Sequence, residues 1–182
     1  GGNLAMKHPE ISHKPQKERL DITVIGAGPV GLTLALGLAR SGLAVTVLEQ
    51  DYELSEFAKA PAVWPRTQEI LAHFGVITNV LEHAETLTQV SLWDADRNQP
   101  LVSFPLQELA SETLYPHLAL LPQSQLEKIL YEKLHSYSHA KVMFGAKFLS
   151  LSQSDSQVSV TYELGGQTMI HEAARRIAML NT

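Results

Sequence analysis

The sequence predicts an α/β fold in which helices pack against a parallel β-sheet. Residues 22–25 and 45–48 are short runs rich in β-branched side chains, and residues 32–39 between them form an apolar helical run. Glycines in G-x-G-x-x-G spacing join the first strand to the helix, and an acidic residue closes the second strand. This strand–helix–strand arrangement is typical of a Rossmann-like domain that binds a dinucleotide.

Each glycine of the motif has a separate expected role. Gly26 permits a tight turn out of the first strand, Gly28 lets a pyrophosphate approach the backbone, and Gly31 lets the helix pack close to the sheet. Pro29 removes one N–H at the helix start, where that donor has no helical partner. The remaining free N–H groups and the helix dipole then face the phosphates. Residues 41–42, Ser-Gly, are expected to end the helix.

The acidic residue after the second strand indicates which nucleotide is bound. Glu49, followed by Gln50, lies where a carboxylate can accept hydrogen bonds from ribose hydroxyls. The same charge repels a 2′-phosphate, so the motif favours FAD or NAD over NADP. The competing hypothesis is a glycine-rich turn that binds nothing, and the register of strand, helix, second strand and acid argues against it.

The composition narrows the classes of function. The chain has 182 residues, enough for one domain with a core, and 45% of them are hydrophobic. Its net charge of −5 gives no electrostatic reason to expect a nucleic-acid partner. The absence of cysteine excludes disulfides, thiolate catalysis and cysteine-based metal sites. Redox chemistry therefore needs a bound cofactor.

The sequence contains no candidate transmembrane segment. The longest apolar stretch, residues 30–39, is too short and lies inside the glycine motif. We therefore expect no membrane partner and a cytoplasmic location. Residues 1–19 are polar and aperiodic, so we expect a disordered tail there and a single domain over residues 20–182.

The rest of the chain alternates helix and strand signals. In order, we expect a loop over 51–64, helices over 65–75 and about 77–85, a hairpin of 88–93 with 100–106, a strand at 118–121, a helix after it, a strand region at 142–149, a hairpin of 158–162 with 168–170, and a helix over 172–180. The helix after residue 121 is expected to begin with a capping box formed by Ser124 and Glu127. Gln123 precedes this cap, at a strand-to-helix junction where ligands are commonly bound.

Three segments resemble the FAD-dependent aromatic hydroxylases, the class A flavoprotein monooxygenases related to p-hydroxybenzoate and phenol hydroxylase. They are residues 21–50 around the glycine motif, KAPAVWPRTQEILAHFGV at 59–76, and LLPQSQLEKILYEKL at 120–134. The first occurs in many flavoproteins, whereas the second and third make the resemblance more specific. Together with the strands that follow, the similarity covers residues 20–170.

The resemblance implies FAD as the cofactor. By position, the three motif glycines would hold the pyrophosphate, Glu49 the adenosine ribose, and Gln123 the ribityl or pyrophosphate side. Lys59 stands where the family usually has a flavin-contacting arginine, so the charge is kept and the planar guanidinium is lost. Arg66 matches the family's second arginine, for which we favour a structural role.

The resemblance also implies an activity. In the family, NAD(P)H reduces the flavin, and an oxygen atom from O₂ is transferred to an aromatic or similar small molecule; no side chain of this sequence can be named as the catalytic one. The family continues after the last hairpin into an apolar strand and a G-A-D-G-x-x-S motif, whereas this chain reads HEAARRIAMLNT. We therefore expect a truncated domain that lacks the substrate domain and the C-terminal part.

Two other functions stay open, namely a truncated, non-catalytic FAD- or nucleotide-binding module and a plain NAD-binding Rossmann protein.

His135 and His139 are spaced four residues apart, but a solvated turn is a better interpretation than a metal site. Trp64 and Trp93 are expected to pack in the core or in loops rather than on a flavin. The oligomeric state is left open.

Overall fold

The computed structural model describes residues 21–56, 59–173 and 176–178. The tail expected over residues 1–19 lies outside them. Within them, the glycine motif forms the predicted strand–helix–strand unit, consisting of β1 (Asp21–Ile25), α1 (Pro29–Arg40) and β2 (Ala44–Glu49). The two strands are parallel, and their central valines are almost completely buried, which explains the nearly continuous apolar runs. After α1, Gly42 has a φ of +83°, a conformation that glycine adopts without steric cost.

The middle of the chain forms short helices and strands. In order these are β3 (Ala62–Val63), α2 (Pro65–His73), α3 (Ile77–His83), β4 (Glu85–Leu87), β5 (Gln89–Asp94), β6 (Gln99–Pro105), a 3₁₀ helix (Leu106–Ser111) and β7 (Leu118–Leu120). The predicted hairpin is confirmed as β5 and β6. The loop predicted over 51–64 contains β3, and the second predicted helix ends at His83 because the chain from Glu85 pairs with β7 instead.

The last part of the described chain begins with α4 (Gln123–His135), followed by β8 (Ala140–Phe144), β9 (Ala146–Gln153), β10 (Val158–Leu164), β11 (Gln167–Ala173) and β12 (Arg176–Ala178). The strand region predicted at 142–149 is two strands, since Gly145, with a φ of +69°, separates them. The predicted burial alternation of Val158, Val160 and Tyr162 in β10 is confirmed.

A parallel sheet with strand order β12-β1-β2-β8 forms the centre of the fold. A second, antiparallel sheet has the order β11-β10-β9, and smaller sheets are formed by β3-β7-β4 and by the β5–β6 hairpin. The main core lies where α1 and α4 pack together on the parallel sheet, with buried Leu32, Leu36, Leu130 and Leu134. A smaller core around Leu48 and Val160 joins the two larger sheets.

The helix predicted over 172–180 is wrong. The chain is still in strand β11 at Ala173, and residues 176–178 form β12, parallel to β1 with Ile22 opposite Arg176. Alanine, arginine, leucine and methionine favour helices locally, but such propensities are weak and tertiary pairing overrides them. Here β12 pairs the backbone groups on the edge of β1 that faces away from β2.

The predicted capping box is also wrong. α4 begins at Gln123, and its N-cap is Pro122, two residues before the expected Ser124; Pro122 makes no side-chain hydrogen bond to the helix. The backbone N–H of Gln123 donates instead to the carbonyl oxygen of Lys59, at 2.7 Å. A distant loop therefore satisfies one donor at the helix start, and Glu127 does not act as a capping residue.

In the described chain, no helix is long and apolar enough to cross a membrane. The outer side of α1 and the neighbouring α2 leave an apolar groove of about 600 Å³ between them, with Val30, Leu34, Ile70 and Phe74 among its walls. This groove lies on the helical face of the domain.

Substitution of Gly31 tests the close contact between α1 and the turn that follows β1. A Cβ atom at Gly31 would lie 2.0 Å from the carbonyl oxygen of Gly26, which is backbone and cannot move away cheaply. We expect Gly31→Ala to lower the free energy of unfolding by about 3 kcal/mol or more, at the upper end for overpacking. Gly37→Ala in the same helix meets only the ring of Phe74, so we expect a change within about 1 kcal/mol. Urea unfolding of both variants measures the difference, and equal stabilities would contradict this account of the motif.

Candidate functional site

A polar cleft lies at the carboxyl ends of β1 and β2, beside the first turns of α1 and α4. Its volume is about 190 Å³, and it is lined by Ala27, Gly28, Glu49, Gln50, Asp51, Glu53, Leu54, Ser55, Gln123 and Glu127. The carboxyl edge of a parallel sheet is the usual place for a ligand in this class of fold. Small-molecule sites commonly measure about 300–1,000 Å³, so this cleft has room for only part of a dinucleotide.

The carboxylate of Glu49 connects the second strand to the glycine turn. Its Oε2 accepts a hydrogen bond from the backbone N–H of Ala27 at 2.7 Å, and its Oε1 accepts one from the N–H of Asp51 at 3.1 Å. The turn is also tied to β2 through the N–H of Gly26, which donates to the carbonyl of Leu48 at 2.8 Å. Glu49 is therefore held in one orientation beside the start of α1.

The glycines of the turn act for two different physical reasons. Gly26 has a φ of +95°, so its lack of a Cβ relieves backbone strain. Gly28 is the N-cap of α1 with φ −73° and ψ 176°, which any residue can adopt, and no side chain caps the helix there. Because Gly28 lines the cleft, its missing side chain leaves space beside the uncapped helix start. Backbone N–H groups at such a helix start are suited to bind an anion.

α4 adds two side chains to the opposite wall of the cleft. Gln123 is the first residue of α4, and Glu127 follows one turn later on the same face. Glu127 is only 3% exposed, and its Oε2 has no hydrogen-bond partner among the described residues. Burial raises the pKa of the Glu127 carboxyl; a hydrogen bond from Gln123 partly opposes this, and the charge of Glu49 adds to the increase.

The structure brings some of the predicted site residues together and separates others. Gln50 lines the cleft from an exposed position, and Gly31 serves helix packing rather than the cleft itself. Pro29 begins α1 but lines the apolar groove. Lys59 has an exposed side chain, and its backbone carbonyl is what contacts α4 at Gln123.

Sequence reasoning missed several residues that line the cleft: Ala27, Asp51, Glu53, Leu54, Ser55 and Glu127. A signal existed for Glu127, because residues i and i+4 share a helix face and Gln123 was already a candidate. Ala27 lies inside the motif, where its N–H rather than its side chain matters. The loop residues carry no periodic pattern that could have placed them.

The other candidate residues from the sequence do not line the cleft. Arg66 is exposed and forms an ion pair with Glu69 at 2.8 Å, and this hydrogen bond lowers the pKa of Glu69. Trp64 and Trp93 are each more than half exposed, which excludes core packing and leaves the loop alternative of the expectation. A ring nitrogen of His139 is 2.7 Å from the carbonyl oxygen of Ala39. The described residues contain no group of three or more histidine and acidic side chains that could hold a metal ion.

The cleft thus offers the hydrogen-bond donors and acceptors that the diphosphate and ribose of a dinucleotide such as FAD require. The uncapped start of α1 provides donors for a diphosphate, and the fixed Glu49 carboxylate provides an acceptor for sugar hydroxyls. The chemistry of these donors and acceptors matches the cofactor implied by the sequence.

Comparisons with known proteins agree with this geometry. The family model described as FAD binding domain matches residues 19–172. Para-nitrophenol 4-monooxygenase of Pseudomonas sp. (strain WBC-3) is 26% identical over 152 residues, which are 83% of this chain and 38% of that protein.

Two solved structures have the same fold. The crystal structure of p-nitrophenol 4-monooxygenase PnpA from Pseudomonas putida DLL-E4 matches with a TM-score of 0.81 and 25% identity, over 88% of this chain and 40% of that one. A ternary complex of aklavinone-11 hydroxylase with FAD and aklavinone matches with a TM-score of 0.73 and 26% identity, over 87% of this chain and 32% of that one. The chain thus spans less than half the length of these relatives. The strand–helix–strand unit, its cleft and the family match together show that the chain belongs to the FAD binding domain family of flavin-dependent monooxygenases.

Proposed function

We propose that this chain is the FAD-binding part of a flavin-dependent monooxygenase that uses NAD(P)H and hydroxylates an aromatic or similar small molecule. The observation that carries the proposal is the Glu49 carboxylate, held by the N–H of Ala27 beside the uncapped start of α1. The names of the relatives, a para-nitrophenol 4-monooxygenase among them, support the substrate class. Because relatives are more than twice as long, the substrate domain is proposed to lie in the remaining length of such proteins.

Residues of the cleft are proposed to hold FAD as follows. The backbone at Gly26, Gly28 and the start of α1 binds the pyrophosphate, with Pro29 setting the helix direction, while Gly31 keeps α1 close to the sheet. Four side chains complete the proposed site. Glu49 binds the ribose and Gln50 lies at the exposed rim. Gln123 lies on the opposite wall, and Lys59 lies next to it. Lys59 would reach the ligand only as a flexible point charge.

When bound, the flavin supplies the redox and oxygen chemistry of the reaction. The residues of this chain bind and orient it, and Glu49 discriminates against an added 2′-phosphate through its negative charge. None of the side chains that line the cleft needs to accept a proton from the substrate in this scheme. Reduction by NAD(P)H and substrate binding are assigned to the whole protein.

A plain NAD-binding protein is the second candidate, because the uncapped start of α1 and the Glu49 carboxylate suit the adenosine diphosphate portion that NAD and FAD share. Titration of the purified chain with FAD and with NAD, followed by calorimetry and by visible absorption, separates the two. We expect FAD to bind at least ten times more tightly than NAD and to give a yellow protein. Tighter binding of NAD, or no uptake of FAD at all, would overturn the proposal.

A graded series at Gly28 tests whether the phosphates lie at the start of α1. Its backbone conformation is open to any residue, so Gly28→Ala and Gly28→Val should fold normally. We expect FAD affinity to fall about 10-fold for alanine and more than 100-fold for valine, because the side chains enter the space beside the helix start. Circular dichroism checks the fold, and unchanged affinity in the valine variant would place the phosphates elsewhere.

The role of Glu49 is tested by measuring how strongly the chain prefers a nucleotide without a 2′-phosphate. We expect the wild-type chain to bind ADP more tightly than adenosine 2′,5′-bisphosphate, and Glu49→Gln to reduce this preference by roughly 10-fold, since one nearby charge is removed. Glu53→Gln is the matched control, because Glu53 lines the same cleft and loses the same charge. Equal effects of the two variants would mean that the general negative charge of the cleft, and not Glu49, sets the preference.

A further inference from the structure

The cleft contains a buried carboxyl group that the assignments above leave unused. Glu127 lines the cleft from the first turns of α4 and is 3% exposed. A buried carboxyl is costly unless its oxygens are hydrogen-bonded, so its local partners decide what it can do.

One oxygen of Glu127 differs from the oxygens of Glu49 in its hydrogen bonding. The carboxyl receives a hydrogen bond from Gln123, but its Oε2 has none among the described residues. Glu49, by contrast, already accepts a backbone N–H at each oxygen. A buried carboxylate oxygen without a partner among the described residues indicates a position that a ligand can complete.

The surroundings of Glu127 restrict the chemistry of that partner. Among the described residues, the charged side chains that line the cleft are Glu49, Asp51, Glu53 and Glu127, all acidic, so none of them is a lysine or arginine that could pair with Glu127. The described residues offer no cluster that could hold a metal ion. A phosphate oxygen can pair only with the protonated carboxyl, whereas a hydroxyl can donate to the ionised form and accept from the protonated one. A hydroxyl therefore suits Glu127 in either protonation state.

We propose that Glu127 is a further binding residue of this cleft and that its carboxyl hydrogen-bonds a hydroxyl of the adenosine ribose. Together with Glu49, it gives the ribose one carboxyl from β2 and one from α4. The inference rests on the proposed function, because it needs the adenosine diphosphate portion to lie in the cleft. Burial raises the pKa of Glu127, which is consistent with a group that needs a ligand contact to be fully satisfied.

Charge-matched variants test this contact. Glu127→Gln and Glu127→Met both remove the charge, but only glutamine keeps hydrogen-bonding atoms at the same position. Binding of ADP, 2′-deoxy-ADP and 3′-deoxy-ADP to the full chain is measured by calorimetry. We expect Glu127→Met to bind ADP about 3- to 10-fold more weakly than Glu127→Gln. We also expect this difference to disappear with the analogue that lacks the contacted hydroxyl. Glu127→Asp, which keeps the charge and shortens the side chain, should show the same loss if the methionine variant fails to fold.

The outcomes separate this inference from the proposed function. If wild-type protein binds no ADP, the proposed function fails first. If wild type binds ADP and the glutamine and methionine variants bind it equally, Glu127 makes no ribose contact and the inference is wrong. A difference between the variants that persists with both deoxy analogues would place Glu127 on the diphosphate or the base, and would also overturn it.

Discussion

The binding cleft depends on how closely α1 approaches the end of β1. The carbonyl of Gly26 occupies the space where a side chain of Gly31 would stand, so the helix can pack on the sheet only with glycine there. This contact sets the start of α1 at the carboxyl edge of the sheet, where its N-cap, Gly28, lines the cleft. The hydrogen bond from Ala27 to Glu49 then joins the helix start to β2. One packing constraint thus positions both the anion-binding donors and the carboxylate.

The two walls of the cleft have complementary chemistry. The start of α1 offers backbone donors and a positive helix end, which suit a diphosphate. The carboxyl groups of Glu49, beside that helix start, and of Glu127, on the opposite wall, suit sugar hydroxyls. A molecule that carries phosphate next to ribose satisfies both walls at once. The apolar groove between α1 and α2 has neither kind of group along most of its wall and is not suited to the same ligand.

The sequence best predicts the elements whose contacts are made between residues close together in the chain. The spacing of Gly26, Gly31 and Glu49 predicted β1, α1, β2 and the position of the cleft, because each acts within one strand–helix–strand unit. The start of α4 was misplaced, since Lys59, more than sixty residues earlier, supplies the acceptor that a local capping box was expected to provide. Local propensity predicts a helix at β12, whereas the pairing of β12 with β1 joins the two ends of the described chain. Non-local pairing of this kind leaves no periodic trace in a short segment.

A crystal structure of the chain with ADP tests the central claim most directly. The account predicts the diphosphate within hydrogen-bonding distance of the backbone N–H groups at the start of α1, and a ribose hydroxyl on Glu49. A ligand bound with its phosphates away from Gly28, or seated in the apolar groove instead, would contradict it.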